Sequence, residues 1–388
     1  MLNTTQIALL RAAFLKGRNA REAFQTWQSA TDLNRLPPNQ YALLPMLYLN
    51  LAQMGIDHPW LGRLKGIYRK TWYANQMMLQ EAEKISLILA DAGISVMLAD
   101  DAPLTLAACS NRVRPISTLT VIVPMERVWE TGRILVDRFW RPHSALQHTC
   151  GEWQAGITGL RFCSDDGRWV VVYGHAMPFW PSDEVNNAVW ERALHIPKHS
   201  FLAVGPTDQL IRSCRSAILP GSNALISLAN VAVLISTGNV SELSDGITAT
   251  NQEDEGTDWA IAWRMAQACY TAHALQLSLA CVAEVLEVDA PANFLIQLNE
   301  IPISPLERLE GYPKTSSYAG ISRIQALRRV YADYYRTVTA GGLTHDTGKF
   351  SSFLLHRWGL VSRWQIPGRI IARITNCELR ITNAGCFF

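Results

Sequence analysis

The amino-acid sequence predicts an α+β protein, predominantly helical, in which one small mixed sheet is flanked by N-terminal and C-terminal helical regions. Apolar residues recur at the three–four spacing of helix faces up to residue 92 and again after residue 206. Alternating and β-branched runs are confined to residues 94–173, where a helical stretch interrupts them, as in a mixed sheet covered by helices. The 388 residues are 48% hydrophobic and 18% charged, a balance that buries a sizeable core and is the reverse of what disorder requires.

Taken in order, Ile7, Leu10 and Phe14 put an apolar face on a first helix that Gly17 stops. Pro37 and Pro38 break the chain before a second apolar stretch, 43–51. A clearer helix is expected over 73–92, with Met78, Ala82, Ile85, Leu89 and Ala92 on one stripe and Gly93 as the residue beyond its C-cap. Ile94, Val96 and Leu98 alternate as a first strand. Residues 119–123 form a second, halted by Pro124, and a helix follows over 125–138. Residues 160–162 and 169–173 flank Asp165, Asp166 and Gly167, a hairpin signature. After Pro206, Leu210, Ile211, Cys214 and Ile218 mark another helix face. Residues 224–236 read as a buried helix and 241–256 as an exposed polar loop. Thr257 or Asp258 then caps the strongest helix, with Trp259, Trp263, Ala266, Tyr270, Ala274, Leu277, Cys281 and Val285 on a single stripe. A further helix covers 321–340, and 376–388 reads as a loosely ordered tail. The expected division is 1–72, 73–200, 201–375 and that tail.

Several function classes are excluded. Lys and Arg number 35 against 33 Asp and Glu, and a net charge of +2 leaves no electrostatic footprint for nucleic acid. No run approaches the roughly 18 apolar residues of a spanning helix, so no membrane is expected as a partner. The first residues lack a long apolar stretch with a small-residue cleavage site, so no signal peptide is expected. Eight cysteines without a C-x-x-C pair suggest reduced, mostly buried thiols and a cytoplasmic protein.

Standard chemical signatures are missing: there is no H-E-x-x-H, no G-x-S-x-G and no G-x-G-x-x-G. Residues 341–350 resemble a phosphate loop, but five residues separate Gly342 from Gly348 and Phe350 replaces the required Ser or Thr. The same stretch holds His345-Asp346-Thr347-Gly348-Lys349, similar to the core of metal-dependent HD phosphohydrolases, yet no Asp follows position 346. It reads as a solvated loop between two helices. His143, His148 and Cys150 supply three candidate zinc ligands where a structural site wants four, and read as an ordinary loop.

The most informative segments are YRKTWYANQ at 68–76, AGISVML at 92–98 and RPISTLTVIVP at 114–124. Together they resemble the bacterial family labelled uncharacterised nucleotidyltransferases, of the polymerase-β-like superfamily. The likeness runs from LLPMLY at 43–48 to RWGL at 357–360. In that family the first strand runs into Leu-Lys-Gly and the second reads Arg-Pro-Met-x-Asp-x-Asp. The resemblance implies a sheet whose paired carboxylates share one strand face and, with a third acid from a later strand, hold two Mg²⁺ for nucleotide transfer.

This sequence departs from the pattern at each of those places. Leu-Lys-Gly has become Leu98-Ala99-Asp100, the paired acids fall on Thr118 and Thr120, and the later acid falls on Val171. Mg²⁺ is a hard ion that dehydrates reluctantly, and two hydroxyls do not replace three carboxylates. The expectation is therefore a pseudoenzyme with no catalytic residues, no bound metal and no cofactor, acting by nucleotide or protein binding. A nucleotide would be held by Ala99, Asp100, Arg114, Thr118 and Thr120, a protein partner by the helical surfaces. One alternative is an active enzyme, using Mg²⁺ and a nucleoside triphosphate, whose metal site is rebuilt from Asp100 and Asp101 with Asp165 or Asp166. The plainer reading of Asp100 and Asp101 is that they cap the following helix, 102–108. The other alternative is a purely structural or interaction protein.

Overall fold

The computed structural model describes residues 2–107, 114–143, 159–177, 182–218, 224–237 and 257–310, and further on 328, 330–332, 334–335, 347–358, 360, 362–368 and 370. The chain opens with α1 (Thr4–Phe14), α2 (Gly17–Ser29), α3 (Pro38–Tyr41), α4 (Leu44–Gln53) and the long α5 (Leu61–Asp91). The central region follows as β1 (Met97–Ala99), α6 (Asp101–Ala107), β2 (Leu119–Ile122), α7 (Val128–Asp137), β3 (Arg141–Pro142), β4 (Leu160–Cys163), β5 (Trp169–Tyr173), α8 (Asp183–Glu191), β6 (Leu194–His195) and β7 (Leu202–Ala203). Helices then return as α9 (Pro206–Ile218), α10 (Ala224–Thr237), α11 (Trp259–Ala268), α12 (Ala272–Leu286), α13 (Ala292–Glu300), α14 (Pro305–Glu310) and α15 (Thr347–Trp358). The predicted class, predominantly helical α+β with one mixed sheet, is the observed one.

The sheet has the order β3-β4-β5-β2-β1-β7-β6. Strand β2 runs parallel to β5 and β1 parallel to β7, while the remaining neighbours are antiparallel. Alternation divides its two faces. Leu98, Leu119, Val121, Val123, Phe162, Val170 and Val172 pack with Met78, Ala82, Ile85 and Leu89 of α5. Met97, Ala99 and Ile122 point the other way, into the larger core built with α1, α4, α9, α10 and α12. That larger core joins the N-terminal helices to the C-terminal ones, and Arg11 of α1 donates to the Val285 carbonyl of α12 at 3.2 Å. Helix α5 runs through the 72/73 junction and β7 belongs to the sheet although it lies beyond residue 200.

Several expected boundaries move. The helix expected at 73–92 begins at Leu61, and of the strand expected at 94–98 only its last two residues, with Ala99, pair as β1. The strongest helix is two. Asp258 caps α11, accepting from the Ile261 amide at 2.9 Å, but the helix closes after Ala268. Tyr270 takes φ 47, its amide donates to Gln267, and the Thr271 amide donates to Ala266 at 2.9 Å. That is the Schellman closure, here without the usual glycine, so no punctuating residue announced it. Gly93 does close α5 in the same way, with φ 70. The 341–350 stretch enters α15 at Thr347 rather than remaining a loop throughout. The polar loop 241–256, the tail 376–388, His148 and Cys150 lie outside the described residues, as does most of 321–340.

Candidate functional site

A cleft of about 1250 Å³ opens on the sheet face that α5 does not cover. The ladder registers set a row of four residues across its floor. Ala99 of β1 stands opposite Thr120 of β2, Thr120 beside Val171 of β5, and Val171 opposite Arg161 of β4. Thr118 lies on the approach to β2, two residues before Thr120, and also lines the cleft. Val171 and the two threonines are thus neighbouring positions on one surface.

The walls come from distant parts of the chain. Asn39 and Tyr41 of α3 line one side, Arg212, Ser213 and Ser216 of α9 another, and Ser227 and Asn230 of α10 complete it. The placement of strand β2 depends on Asn75 of α5, a residue of the 68–76 segment. Its side-chain amide donates to the Arg114 carbonyl at 2.6 Å and its oxygen accepts from the Ile116 amide at 2.9 Å. One buried side chain thereby pins both edges of the segment leading into Thr118.

Asp100 ends β1 with φ 63, in the left-handed region that glycine occupies freely and Asp tolerates better than most. The resemblance puts a glycine at this place, and the backbone explains why. Its carboxylate forms a two-point pair with Arg212, Oδ1 to Nε at 3.0 Å and Oδ2 to Nη2 at 2.9 Å. Its amide donates to Gln209 at 3.0 Å, and Thr120 adds a further hydrogen bond to the carboxylate. Burial works against ionisation, but Arg212 and these hydrogen bonds outweigh it and hold the Asp100 carboxyl below the usual range. The side chain of Asp100 is 39% exposed, that of Arg212 only 2%. Asp101 has the opposite tendency. Burial pushes its carboxyl up, Arg114 opposes this and the neighbouring Asp100 adds to it, while Asn230 donates to Oδ1 at 3.4 Å.

The sequence-predicted residues therefore divide. Asp100, Asp101, Thr118, Thr120 and Val171 all line the cleft. Ala99 is fully buried beneath it, and Arg114 is 1% exposed, with its charge acting on Asp101. Asp165 and Asp166 lie at the β4–β5 turn, where Arg141 pairs with Asp165 and Arg168 with Asp166 and Glu81. The Asp100 carboxylate is engaged by Arg212. Arg161 and Arg212 were missed. Arg212 is 112 residues from Asp100 in sequence, and only the apolar face of its helix carried a signal.

The donor set does not fit two magnesium ions. The cleft-facing part of that row offers a hydroxyl, an isopropyl group and a cation, where hard anionic oxygens are needed. The nearest carboxylate, Asp100, is already in its pair with Arg212. Among the described residues no three His, Cys, Asp or Glu side chains converge as metal ligands.

Fold and cleft together define a helical α+β protein that presents one face of a mixed sheet as the floor of a groove. The chain belongs to the family described as uncharacterised nucleotidyltransferase, whose match covers residues 38–287. That span contains the whole sheet and every cleft residue named above. No curated protein and no solved structure matches the chain. Among the described residues no helix is long and apolar enough to cross a membrane.

Proposed function

We propose that the protein binds a nucleotide in this cleft without transferring it, so that a nucleotidyltransferase scaffold serves as a binding module. The observation that carries the reading is the floor row, where Thr120 and Val171 stand side by side and neither is an acid. Phosphoryl and nucleotidyl transfer consist largely of positioning and neutralising charge with metal ions, so losing the ligands removes the chemistry while leaving the groove. Asp100 does not substitute, because its charge is matched by Arg212. The Thr118 hydroxyl remains as a neutral donor for a ligand, while that of Thr120 is already bonded to Asp100. The buried Cys214, which is in no disulfide, supports a reducing, cytoplasmic setting.

The test is thermal melting with each of the four common nucleoside triphosphates, with and without Mg²⁺, beside an assay for pyrophosphate release. A ligand at a hundredfold its Kd adds about 2.7 kcal/mol. The expected result is a raised Tm without pyrophosphate release. Nucleotide transfer that disappears in Asp100→Asn would overturn the reading in favour of a rebuilt metal site. No Tm response to any nucleotide would leave a structural or interaction protein.

A further inference from the structure

The arginines around the sheet are mostly accounted for. Arg141 pairs with Asp165, Arg168 with Asp166 and Glu81, and Arg212 with Asp100. Arg161 differs. It sits on β4 at the end of the floor row, is exposed, lines the cleft, and has no ion-pair partner among the described residues. Two inter-strand spacings, about 10 Å, separate its position from that of Thr120. The backbone beneath it is fixed: its carbonyl accepts from the His143 amide at 2.8 Å, and β4 is laddered to β5 through Cys163 and Trp169. The His143 ring meets the Trp169 ring edge-on at 5.2 Å, and both line the same end of the cleft. A rigid strand thus holds an uncompensated guanidinium facing a water-accessible groove, beside an aromatic pair.

We infer that Arg161 is the phosphate-binding residue of this cleft, and that the phosphate chain of a nucleotide binds there without a divalent cation. The inference rests on the nucleotide-binding reading and deepens it. A polyphosphate normally arrives with magnesium because its charge must be matched; where the floor cannot hold the metal, a fixed guanidinium matches it directly. Guanidinium is suited to this task, being permanently charged and able to bind two phosphate oxygens at once. The Thr118 hydroxyl supplies a neutral donor along the same floor.

The experiment is titration calorimetry in EDTA with each of the four nucleoside triphosphates and with inorganic tripolyphosphate, on wild type, Arg161→Ala and Arg161→Lys. Arg161 is exposed, so both variants should melt with the wild type. The expected result is binding that survives EDTA, weakens about tenfold or more in Arg161→Ala, and is partly restored in Arg161→Lys. Binding that requires Mg²⁺, or that is unchanged in Arg161→Ala, overturns the inference while leaving nucleotide binding intact. Tripolyphosphate binding that depends on Arg161, without any nucleotide binding, supports the phosphate site and sinks the nucleotide reading instead.

Discussion

The Arg212 guanidinium holds the Asp100 carboxylate by two hydrogen bonds, of 3.0 and 2.9 Å, and through its other terminal nitrogen it holds the Ala176 carbonyl. One buried cation on α9 therefore fixes the end of β1 and the chain leaving β5, the two strands that flank β2 in the floor of the cleft. Removing one partner of a buried pair costs about 3–5 kcal/mol, and since Asp100 is partly open to water about 2–3 kcal/mol is expected for Arg212→Met. Urea unfolding measures it. Arg212→Lys should recover less than half, because an ammonium makes one point contact where the pair needs two. A cost within about 0.5 kcal/mol, the range of ordinary surface changes, would remove Arg212 from this role.

How much of this was legible depends on whether a residue's chemistry is local. Gly93 announced the end of α5 because glycine is the usual occupant of the left-handed position. Tyr270 gave no such notice, and a stripe that ran on through it concealed the turn between α11 and α12. On the floor, alternation along 118–122 gives Thr118 and Thr120 one face, and both line the cleft. Ser227 and Asn230 are polar residues within the apolar helix 224–236, and both line the cleft. Arg161 and Arg212 are ordinary arginines until the ladder and the packing of α9 bring them to the sheet.

Phe139 repeats the Tyr270 geometry at the end of α7. Its φ is 68, its amide donates to Val136 and the Trp140 amide donates to Leu135, both at 3.0 Å. The ring itself is 83% exposed and gains little from packing. Phe139→Gly should relieve the left-handed strain and stabilise the protein by about 1 kcal/mol, read as a raised urea midpoint. A lowered midpoint would mean that the exposed ring has a contact that outweighs the strain.

His175, just after β5, is 6% exposed, and its Nδ1 has no hydrogen-bond partner among the described residues. Burial pushes its pKa down to about 4, with the charge of Asp183 opposing. The unfolded chain then binds the proton first. Stability is fully present above the ordinary histidine pKa of about 6.5 and declines as pH falls toward about 4, by roughly 3 kcal/mol over the window. His175→Gln should flatten unfolding free energy across that window; an unchanged slope would place the dependence elsewhere.

Asn75 is 1% exposed and spends both ends of its amide on residues 114–116. Asn75→Ala leaves a buried carbonyl and a buried amide without that partner, at about 2–4 kcal/mol together. Asn75→Asp tests the geometry separately, since it keeps an acceptor for Ile116 but offers no donor to Arg114. Amide exchange at Ile116 should quicken in the alanine variant and remain slower in the aspartate one.

The family resemblance can be run backwards on the floor of the cleft. Thr118 and Thr120 are two residues apart on one face, so Thr118→Asp with Thr120→Asp would place two carboxylates side by side. Thr120 already hydrogen-bonds to Asp100, so the new acid at 120 meets an existing one. Without metal the double variant should be destabilised by this repulsion, by about 1–2 kcal/mol for charges in a partly buried groove. A divalent ion should then reverse the sign: Mn²⁺ is expected to raise the Tm of the double variant and leave the wild type unmoved. Adding Asp100→Asn should shrink that gain, because it removes a carboxylate from beside the ion and frees Arg212 to pair with the new acid at 120. A folded double variant that ignores Mn²⁺ would show that the groove lacks the shape of a metal site as well as its charges. A wild type that responds equally would favour the alternative of an active enzyme with a rebuilt metal site.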